Sequence, residues 1–161
     1  MLRAMFKSTK KAEKICQKLL SAPCLDVGRL KNEIPKHKGI YLWRKRRGGK
    51  IVYVGTALGK RGLARRIVGQ HLNPKYMQKG KEKSTLRKAV VEDIKNLSPG
   101  KKCVDWIKIN LVLSFWPRER VKTKDVVFSL AEKILIAEEE PDYNKEWKSV
   151  QEQRARKKKS T

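Results

Sequence analysis

The chain has 161 residues, of which 39% are hydrophobic, so it is long enough to bury one core but not two. Its 41 lysines and arginines outnumber 16 acidic residues, giving a net charge of +25 at neutral pH. Such a surplus is normally neutralised by a polyanion, first nucleic acid and second an anionic membrane. No apolar run approaches the ~20 residues that span a bilayer, and no segment combines a wide apolar face with basic flanks. We therefore expect nucleic acid as the partner and no membrane.

The cysteines and the N-terminus bear on the compartment. Cys16, Cys24 and Cys103 contain no CxxC pair, and only His37 and His71 could join them as ligands. A structural zinc site needs about four closely set ligands, so we expect buried free thiols in a reducing compartment. The composition indicates an intracellular protein, in the cytoplasm or the nucleus. The first 20 residues are basic and nearly free of acids, which leaves an organellar transit peptide open.

The first half of the chain predicts two helices, a hairpin and a third helix. Apolar residues at helical spacing predict a helix over residues 7–20, and a shorter helix is predicted over 25–33, before Pro35. The β-rich runs 39–43 and 51–54 enclose a Gly-Gly turn and predict an antiparallel hairpin. A glycine-containing loop then leads to a helix over 63–72.

The second half predicts a loop, a helix, a strand and a last helix. Residues 76–83 are expected to be a mobile basic loop, followed by a helix over 84–97 with Ser84 as N-cap. Residues 106–116 are rich in β-branched and aromatic types and predict a third strand. After a charged connection at 117–124, Asp125 is expected to cap a helix over 126–140, which Pro141 ends.

These elements predict an α+β fold with a small, mostly antiparallel three-stranded sheet flanked by helices. The expected division is a helical extension at 1–36, the main domain at 37–147, and a basic, disordered tail at 148–161. The tail could hold a nucleic-acid backbone, serve as a nuclear address or be merely solvated.

Five segments form an ordered set of motifs. Gly39-Ile40-Tyr41 and Tyr53-Val54-Gly55 lie on the two hairpin strands. They are followed by residues 63–67 with His71, by residues 84–87, and by residues 130–136 with a Pro-x-x-Asn sequence at 141–144. In order and spacing this set resembles the GIY-YIG nuclease superfamily, whose fold the predicted sheet matches. The resemblance covers residues 39–144.

The arginine and histidine depart from the family pattern. In many members the arginine precedes the histidine by four residues, whereas here Arg66 precedes His71 by five and Arg65 by six. Arg66 fits better, because Leu63 and Ile67 then take the flanking apolar positions. The choice between the two arginines stays open, as does the orientation of His71.

The resemblance implies a metal-dependent DNA endonuclease that hydrolyses phosphodiester bonds with Mg²⁺, or Mn²⁺, as cofactor. Tyr41 would act as general base or orient the attacking water, so nearby cations would have to lower its pKa from about 10. Tyr53 would hydrogen-bond the phosphate or the water. Arg66 would hold the scissile phosphate, and His71 would bond a phosphate oxygen or a tyrosine. Glu132 would bind the metal.

Other residues are expected to support this site. Gly39, Gly55 and Asn144 would be structural, with Asn144 tying the end of the chain to the sheet, and Trp43 is expected in the core. The DNA backbone would be followed by basic side chains at Lys45, Arg46, Lys60, Arg61, Arg65, Lys75, Lys79, Lys83 and Arg87.

Two other functions remain open. The chain could be a non-catalytic DNA- or RNA-binding protein, such as a ribosome-associated factor that uses the same basic surface. It could also be a nuclease module that needs a homodimer or a partner subunit, because no additional sequence-reading domain is present. The combined Tyr, Arg, His and Glu set favours the first function, since binding alone needs no lone carboxylate facing a phosphate.

Overall fold

A three-stranded antiparallel sheet forms the centre of the fold, and its strands lie in the order Ile51–Ala57, Gly39–Lys45, Leu111–Pro117. The computed structural model describes residues 2–28, 30, 33–118 and 123–145, with side chains from residue 6 onward. The predicted tail at 148–161 and residues 119–122 of the predicted connection lie outside them. The elements are α1 (Leu2–Leu20), β1 (Gly39–Lys45), β2 (Ile51–Ala57), α2 (Gly62–Arg66), which a π-helical turn (Ile67–His71) continues, β3 (Met77–Gln78), β4 (Lys81–Glu82), α3 (Thr85–Asp93), α4 (Lys101–Asn110), β5 (Leu111–Pro117) and α5 (Asp125–Glu139).

Both faces of the sheet are covered by helices, which confirms the predicted fold class. Because successive strand residues point to opposite faces, Ile40 and Leu42 pack in one apolar cluster with α1 and α5. Tyr41 and Trp43 pack in a second cluster with α2, α3 and α4. Trp43 is fully buried. Helix α1, placed by the sequence in an N-terminal extension, is thus part of the packing around the sheet.

The predicted helix over 25–33 is wrong for its first residues. Leu25 instead forms an isolated antiparallel bridge with Leu113 of β5, with its N–H 2.7 Å from the Leu113 oxygen and its oxygen 3.0 Å from the Leu113 N–H. The bridge satisfies backbone groups that the edge strand would otherwise leave unpaired. Residues 29, 31 and 32 of the predicted helix lie outside the described residues.

The third strand begins later than predicted. Strand β5 begins at Leu111, and residues 106–110 belong to helix α4. The side chains that α4 buries, Cys103, Val104 and Ile107, are spaced as on one face of a helix. The preference of aromatic and β-branched residues for strands is weak and depends on context. In residues 106–110 the packing of α4 against the sheet outweighs that preference.

The segment expected to be a mobile loop contains a short hairpin, with β3 paired to β4. Its Glu82 side chain is buried. The following helix has Ser84 as its N-cap, as predicted, because Ser84 Oγ accepts a hydrogen bond from the Arg87 N–H at 3.4 Å. That helix ends at Asp93 instead of at residue 97.

The cap predicted for the last helix is wrong by one residue. Lys124 takes the N-cap position, and Asp125 is the first residue of α5. Its carboxylate pairs with Lys38 Nζ at 2.7 Å and Arg118 Nη1 at 3.1 Å. The Asp125 carboxylate, which was predicted to cap α5, is thus engaged in ion pairs.

The three cysteines are free thiols. Cys16 and Cys103 are buried, and burial raises their pKa values to about 11 and about 12. Cys24 is exposed, contrary to expectation. No helix within the described ranges is long and apolar enough to cross a lipid bilayer.

Candidate functional site

A cleft of about 540 Å³ opens beside β2, between α3, α5 and residues 143–145. Three of the predicted catalytic residues line it: Tyr53, Arg66 and Glu132. Tyr41 and His71 are fully buried. They connect to the cleft through Arg66, which is hydrogen-bonded to Tyr41.

The hairpin brings the two tyrosines together on one face of the sheet. Tyr41 in β1 lies opposite Gly55 in β2, and Tyr53 lies two residues before Gly55. The two phenol rings have their centroids 6.2 Å apart. A Cβ atom at position 55 would lie 2.6 Å from Tyr41 Oη and 2.9 Å from the Tyr53 ring. Gly55 therefore provides the space that the Tyr41 hydroxyl occupies.

A π-helical turn sets the positions of Arg66 and His71. The N–H of Leu72 donates to the Ile67 oxygen, five residues earlier, at 2.9 Å. The turn holds one residue more than an α-helical turn, and both side chains reach the same hydroxyl. Arg66 Nε donates to Tyr41 Oη at 3.3 Å, and His71 Nε2 lies 2.7 Å from that oxygen. Arg65 is exposed, so Arg66 is the arginine that contacts the tyrosine.

The imidazole of His71 lies in the interior. Its Nδ1 is 2.6 Å from Ser84 Oγ, and its ring meets the Tyr53 ring edge-on at a centroid distance of 5.7 Å. Burial, together with the positive charges of Arg66 and Arg87, lowers the pKa of His71 well below its ordinary value. The imidazole is therefore neutral at physiological pH and has one donor and one acceptor nitrogen.

Thr85 joins Tyr53 to Arg66. Its Oγ1 lies 2.7 Å from Tyr53 Oη and accepts a hydrogen bond from Arg66 Nη2 at 3.4 Å. Arg66 Nη1 also donates to Gln70 Oε1 at 2.7 Å. Neither Gln70 nor Thr85 was predicted as a site residue, and Ser84 was predicted only as a helix cap. The hydroxyls of the 84–87 motif were the available signal.

Glu132 extends from α5 to the edge of β2. Its Oε1 accepts the Thr56 N–H and its Oε2 accepts the Thr56 hydroxyl, both at 3.1 Å. Burial raises the pKa of Glu132, although the hydrogen bonds from Thr56 and the charge of Arg66 oppose that rise. The Thr56 contacts were also missed, since they join residues far apart in sequence.

The donor set at Glu132 fits a weakly held Mg²⁺ ion. A carboxylate offers about four lone-pair positions, of which Thr56 uses two, and the carboxylate lines the open cleft. No group of three or more His, Cys, Asp or Glu side chains that could hold a metal occurs among the described residues. Mg²⁺ is compatible with one carboxylate, since it keeps several waters and is completed by substrate phosphates.

The expected lowering of the Tyr41 pKa is wrong for the free protein. Burial raises the pKa of Tyr41 well above its ordinary value, and the charge and hydrogen bond of Arg66 only partly offset that effect. Tyr41 is therefore a neutral phenol in the free protein.

Two of the predicted backbone-binding arginines are engaged within the protein. Arg87 is fully buried, where it pairs with Glu82 and donates to the backbone oxygens of Gln70 and Asn73. It is therefore unable to follow a DNA backbone, and this prediction is wrong. Arg46 donates to the backbone oxygens of Lys108 and Ile109 and pairs with Asp26.

The remaining predicted basic contacts have exposed side chains, at Lys45, Lys60, Arg61, Arg65, Lys75, Lys79 and Lys83. Two further lysines, Lys88 and Lys145, line the cleft itself, and neither was predicted from the sequence. Their position follows from α3 and the 143–145 segment meeting at β2, which no local pattern reveals.

Residues 143–144 close the edge of β2. The Asn144 side chain accepts from the Val54 N–H and donates to the Val54 oxygen, both at 2.9 Å. The Tyr143 N–H donates to the Val52 oxygen at 2.8 Å. Asn144 thus ties this segment to the sheet. The third structural prediction, Gly39, lies where a Cβ would come within 2.5 Å of the Trp116 oxygen.

Comparisons with protein-family models, with curated proteins and with solved structures give no significant match to this chain.

Proposed function

We propose that the chain is a metal-dependent DNA endonuclease of the GIY-YIG type. The observation that carries this proposal is the state of Arg66. The hydrogen bonds of its guanidinium go to neutral groups, including those of Tyr41, Gln70 and Thr85, and it forms no ion pair with a described residue. A half-buried cation facing a cleft without a paired anion is suited to an anionic ligand, and a phosphate accepts the fork of an arginine well.

The other predicted residues surround this cation in a way that suits phosphodiester hydrolysis. Tyr53 and Glu132 line the same cleft, and Tyr41 is in hydrogen-bond contact with Arg66. A packing role alone would explain the two tyrosines, but it would not explain a carboxylate and an unpaired guanidinium brought to one cleft from α5 and α2. Burying a charged group without an oppositely charged partner is unfavourable, so a packing role gives no reason for the position of Arg66.

In the proposed reaction Arg66 holds the scissile phosphate and stabilises the charge that develops on its oxygens. Tyr41, once substrate binding has opened it to the cleft and its own proton has been lost, orients the attacking water and accepts its proton, and Tyr53 donates a hydrogen bond to a phosphoryl oxygen. Glu132 would hold Mg²⁺, which when bound supplies positive charge at the leaving oxygen. Lys88 and Lys145, on the wall of the cleft, would contact the phosphates that flank the scissile one.

A non-catalytic nucleic-acid-binding protein is the second candidate. The observation that favours it is the burial of Tyr41, whose phenol does not line the cleft and keeps its proton in the free protein. Under this alternative the basic surface binds the polyanion, and Tyr41 and His71 serve only as core residues.

Cleavage of supercoiled plasmid and of a branched DNA junction with Mg²⁺ or Mn²⁺ separates the two functions. The wild type is expected to cut, whereas Tyr41→Phe and Glu132→Gln lose cleavage by about 100-fold or more while they retain DNA binding. Glu139→Gln, an exposed carboxylate on the same helix, is the matched control and should cut normally. Tight binding without cutting under any metal condition would overturn the proposal and favour the binding protein.

A further inference from the structure

Three buried side chains form a continuous hydrogen-bonded chain behind the cleft. Tyr41 Oη lies 2.7 Å from His71 Nε2, and His71 Nδ1 lies 2.6 Å from Ser84 Oγ. Tyr41 and His71 have no exposed surface, and Ser84 is 1% exposed. Solvent therefore does not satisfy the hydrogen bonds of any of the three groups.

The two end groups, the hydroxyls of Tyr41 and Ser84, each accept a hydrogen bond from a group that can only donate. Arg66 Nε donates to Tyr41 Oη at 3.3 Å, and the backbone N–H of Arg87 donates to Ser84 Oγ at 3.4 Å. A guanidinium and a backbone N–H have hydrogens to give and no lone pair to accept with. The Tyr41 phenol, the neutral His71 imidazole and the Ser84 hydroxyl each carry one polar hydrogen. Only two hydrogen bonds join these three groups, so one of the three hydrogens has no acceptor among them.

The position of the surplus hydrogen decides the tautomer of His71. If His71 carried its hydrogen on Nδ1, the Ser84 hydroxyl would be left in the interior, where His71 Nδ1 is its only acceptor among the described residues. If His71 carries it on Nε2, Ser84 donates to Nδ1 and the surplus hydrogen belongs to Tyr41, beside the Arg66 side chain that lines the cleft. An unpaired hydrogen costs less at the Tyr41 end, because Tyr41 contacts Arg66 of the cleft wall and a ligand that displaces Arg66 reaches the phenol there.

We propose that Ser84 is a positioning residue that holds His71 in the Nε2–H tautomer, so that His71 and Arg66 both donate to the oxygen of Tyr41. When a ligand displaces Arg66 and opens Tyr41 to the cleft, the Tyr41 O–H bond breaks, its proton passes to a water molecule admitted there, and the electron pair stays on the oxygen. Two hydrogens then occupy two links, and the phenolate accepts both N–H donors. The two N–H donors stabilise the Tyr41 phenolate and so offset part of the destabilisation that burial causes. The phenolate is the form of Tyr41 that is able to accept a proton.

The tautomer does not depend on the proposed nuclease activity, whereas its value for catalysis rests on that function. The chain has only two histidines, so ¹⁵N-histidine labelling with long-range ¹H–¹⁵N correlation reports directly on both rings. The His37→Gln variant assigns the signals of His71, because the exposed His37 ring is then removed.

The wild type is expected to show a protonated Nε2 and an unprotonated Nδ1 for His71. Ser84→Thr, which keeps the hydroxyl, should give the same spectrum, and Ser84→Ala should shift the ring toward Nδ1–H or to a mixture. A role limited to capping α3 would not change the tautomer. An Nδ1–H ring in the wild type, or an unaltered ring in a folded Ser84→Ala protein, would overturn the proposal.

Plasmid cleavage provides the second measurement. Ser84→Ala is expected to cut about 10- to 100-fold more slowly, less than the full contribution of ~100-fold or more that is typical of a general base, and Ser84→Thr is expected to restore most of the rate. A predicted tautomer in a wild type that does not cut DNA would contradict the nuclease function alone. Normal cleavage by Ser84→Ala would contradict the proposed role of Ser84 in catalysis.

Discussion

Arg66 and His71 both contact the hydroxyl of Tyr41, at 3.3 Å and 2.7 Å, although they are five residues apart in sequence. In a regular α-helix, with 3.6 residues per turn, positions five apart point in different directions. The π-helical turn Ile67–His71 accommodates the additional residue and returns the imidazole to the side of the guanidinium. Such turns are frequent at functional sites.

The two neighbouring arginines should differ sharply in function. Arg66→Lys replaces the planar fork that reaches Tyr41 and Thr85 with a point charge, and we expect the plasmid cleavage rate to fall by about 100-fold or more. Arg65→Lys keeps the charge of an exposed side chain and should leave the rate close to that of the wild type. Equal losses in the two variants would show that Arg66 has no special role.

Adding one methyl group at Gly55 should disrupt the site. In Gly55→Ala the new Cβ would lie 2.6 Å from Tyr41 Oη, so Tyr41 must move within a packed interior. We expect the free energy of unfolding, measured in urea, to fall by about 1–3 kcal/mol and cleavage to be lost. Gly59→Ala is the control, because nothing lies within 4 Å of its added Cβ. If Gly55→Ala were as stable as Gly59→Ala, the close approach at Tyr41 would be wrong.

The buried pair between Glu82 and Arg87 should contribute to stability and not to nucleic-acid binding. Glu82→Gln leaves the fully buried guanidinium without its anion, and we expect a loss of about 3–5 kcal/mol in the free energy of unfolding. Asp105→Asn removes an exposed pair with Lys101 and should cost about 0–1 kcal/mol. DNA affinity, measured while both variants are folded, should match the wild type. A weaker affinity in folded Glu82→Gln would indicate that Arg87 reaches the ligand after all.

His71 should make the protein less stable in mild acid. Its pKa is lowered by burial in the folded state, so the unfolded chain binds a proton near pH 6.5 that the folded protein rejects. The free energy of unfolding should therefore decline as the pH falls below about 6.5, by up to ~1.4 kcal/mol per pH unit. The decline should continue until the folded state also takes up the proton.

Chemical denaturation between about pH 5 and pH 7, above the usual carboxyl range, measures this dependence. His71→Asn is expected to give a flatter profile. His37→Gln, which alters an exposed ring, should retain the slope of the wild type. A wild-type profile with no slope in this interval would mean that His71 is not held neutral by the fold.

The parts of the structure that local patterns encode were predictable. The Gly-Gly turn between two β-rich runs predicts the hairpin that carries Tyr41 and Tyr53, and the hydroxyl of Ser84 before an apolar helix predicts its N-cap. These features depend on a few adjacent residues. The three-stranded antiparallel sheet followed from them together with the third strand predicted over 106–116, of which residues 111–116 are strand in the structure.

The remaining features depend on contacts between distant segments. The start of β5 was misplaced because Trp106 and Ile107 have strand-forming preferences, whereas packing against the sheet makes them helical. Arg87 was expected on the surface because arginine usually is, and its carboxylate partner Glu82 lies in the short hairpin that was taken for a loop. No local pattern predicted the π-helical turn, and only the unusual Arg-to-His spacing pointed to it.

The two outer strands of the sheet are both occupied by the chain's own backbone or side chains. Asn144 and Tyr143 use the polar groups of Val54 and Val52 on one side, and Leu25 pairs with Leu113 on the other. A second molecule could add a strand at these positions only by first displacing those contacts. The chain is thus protected at these points against edge-to-edge association, and a second molecule that leaves these contacts intact would have to dock on its helices and loops.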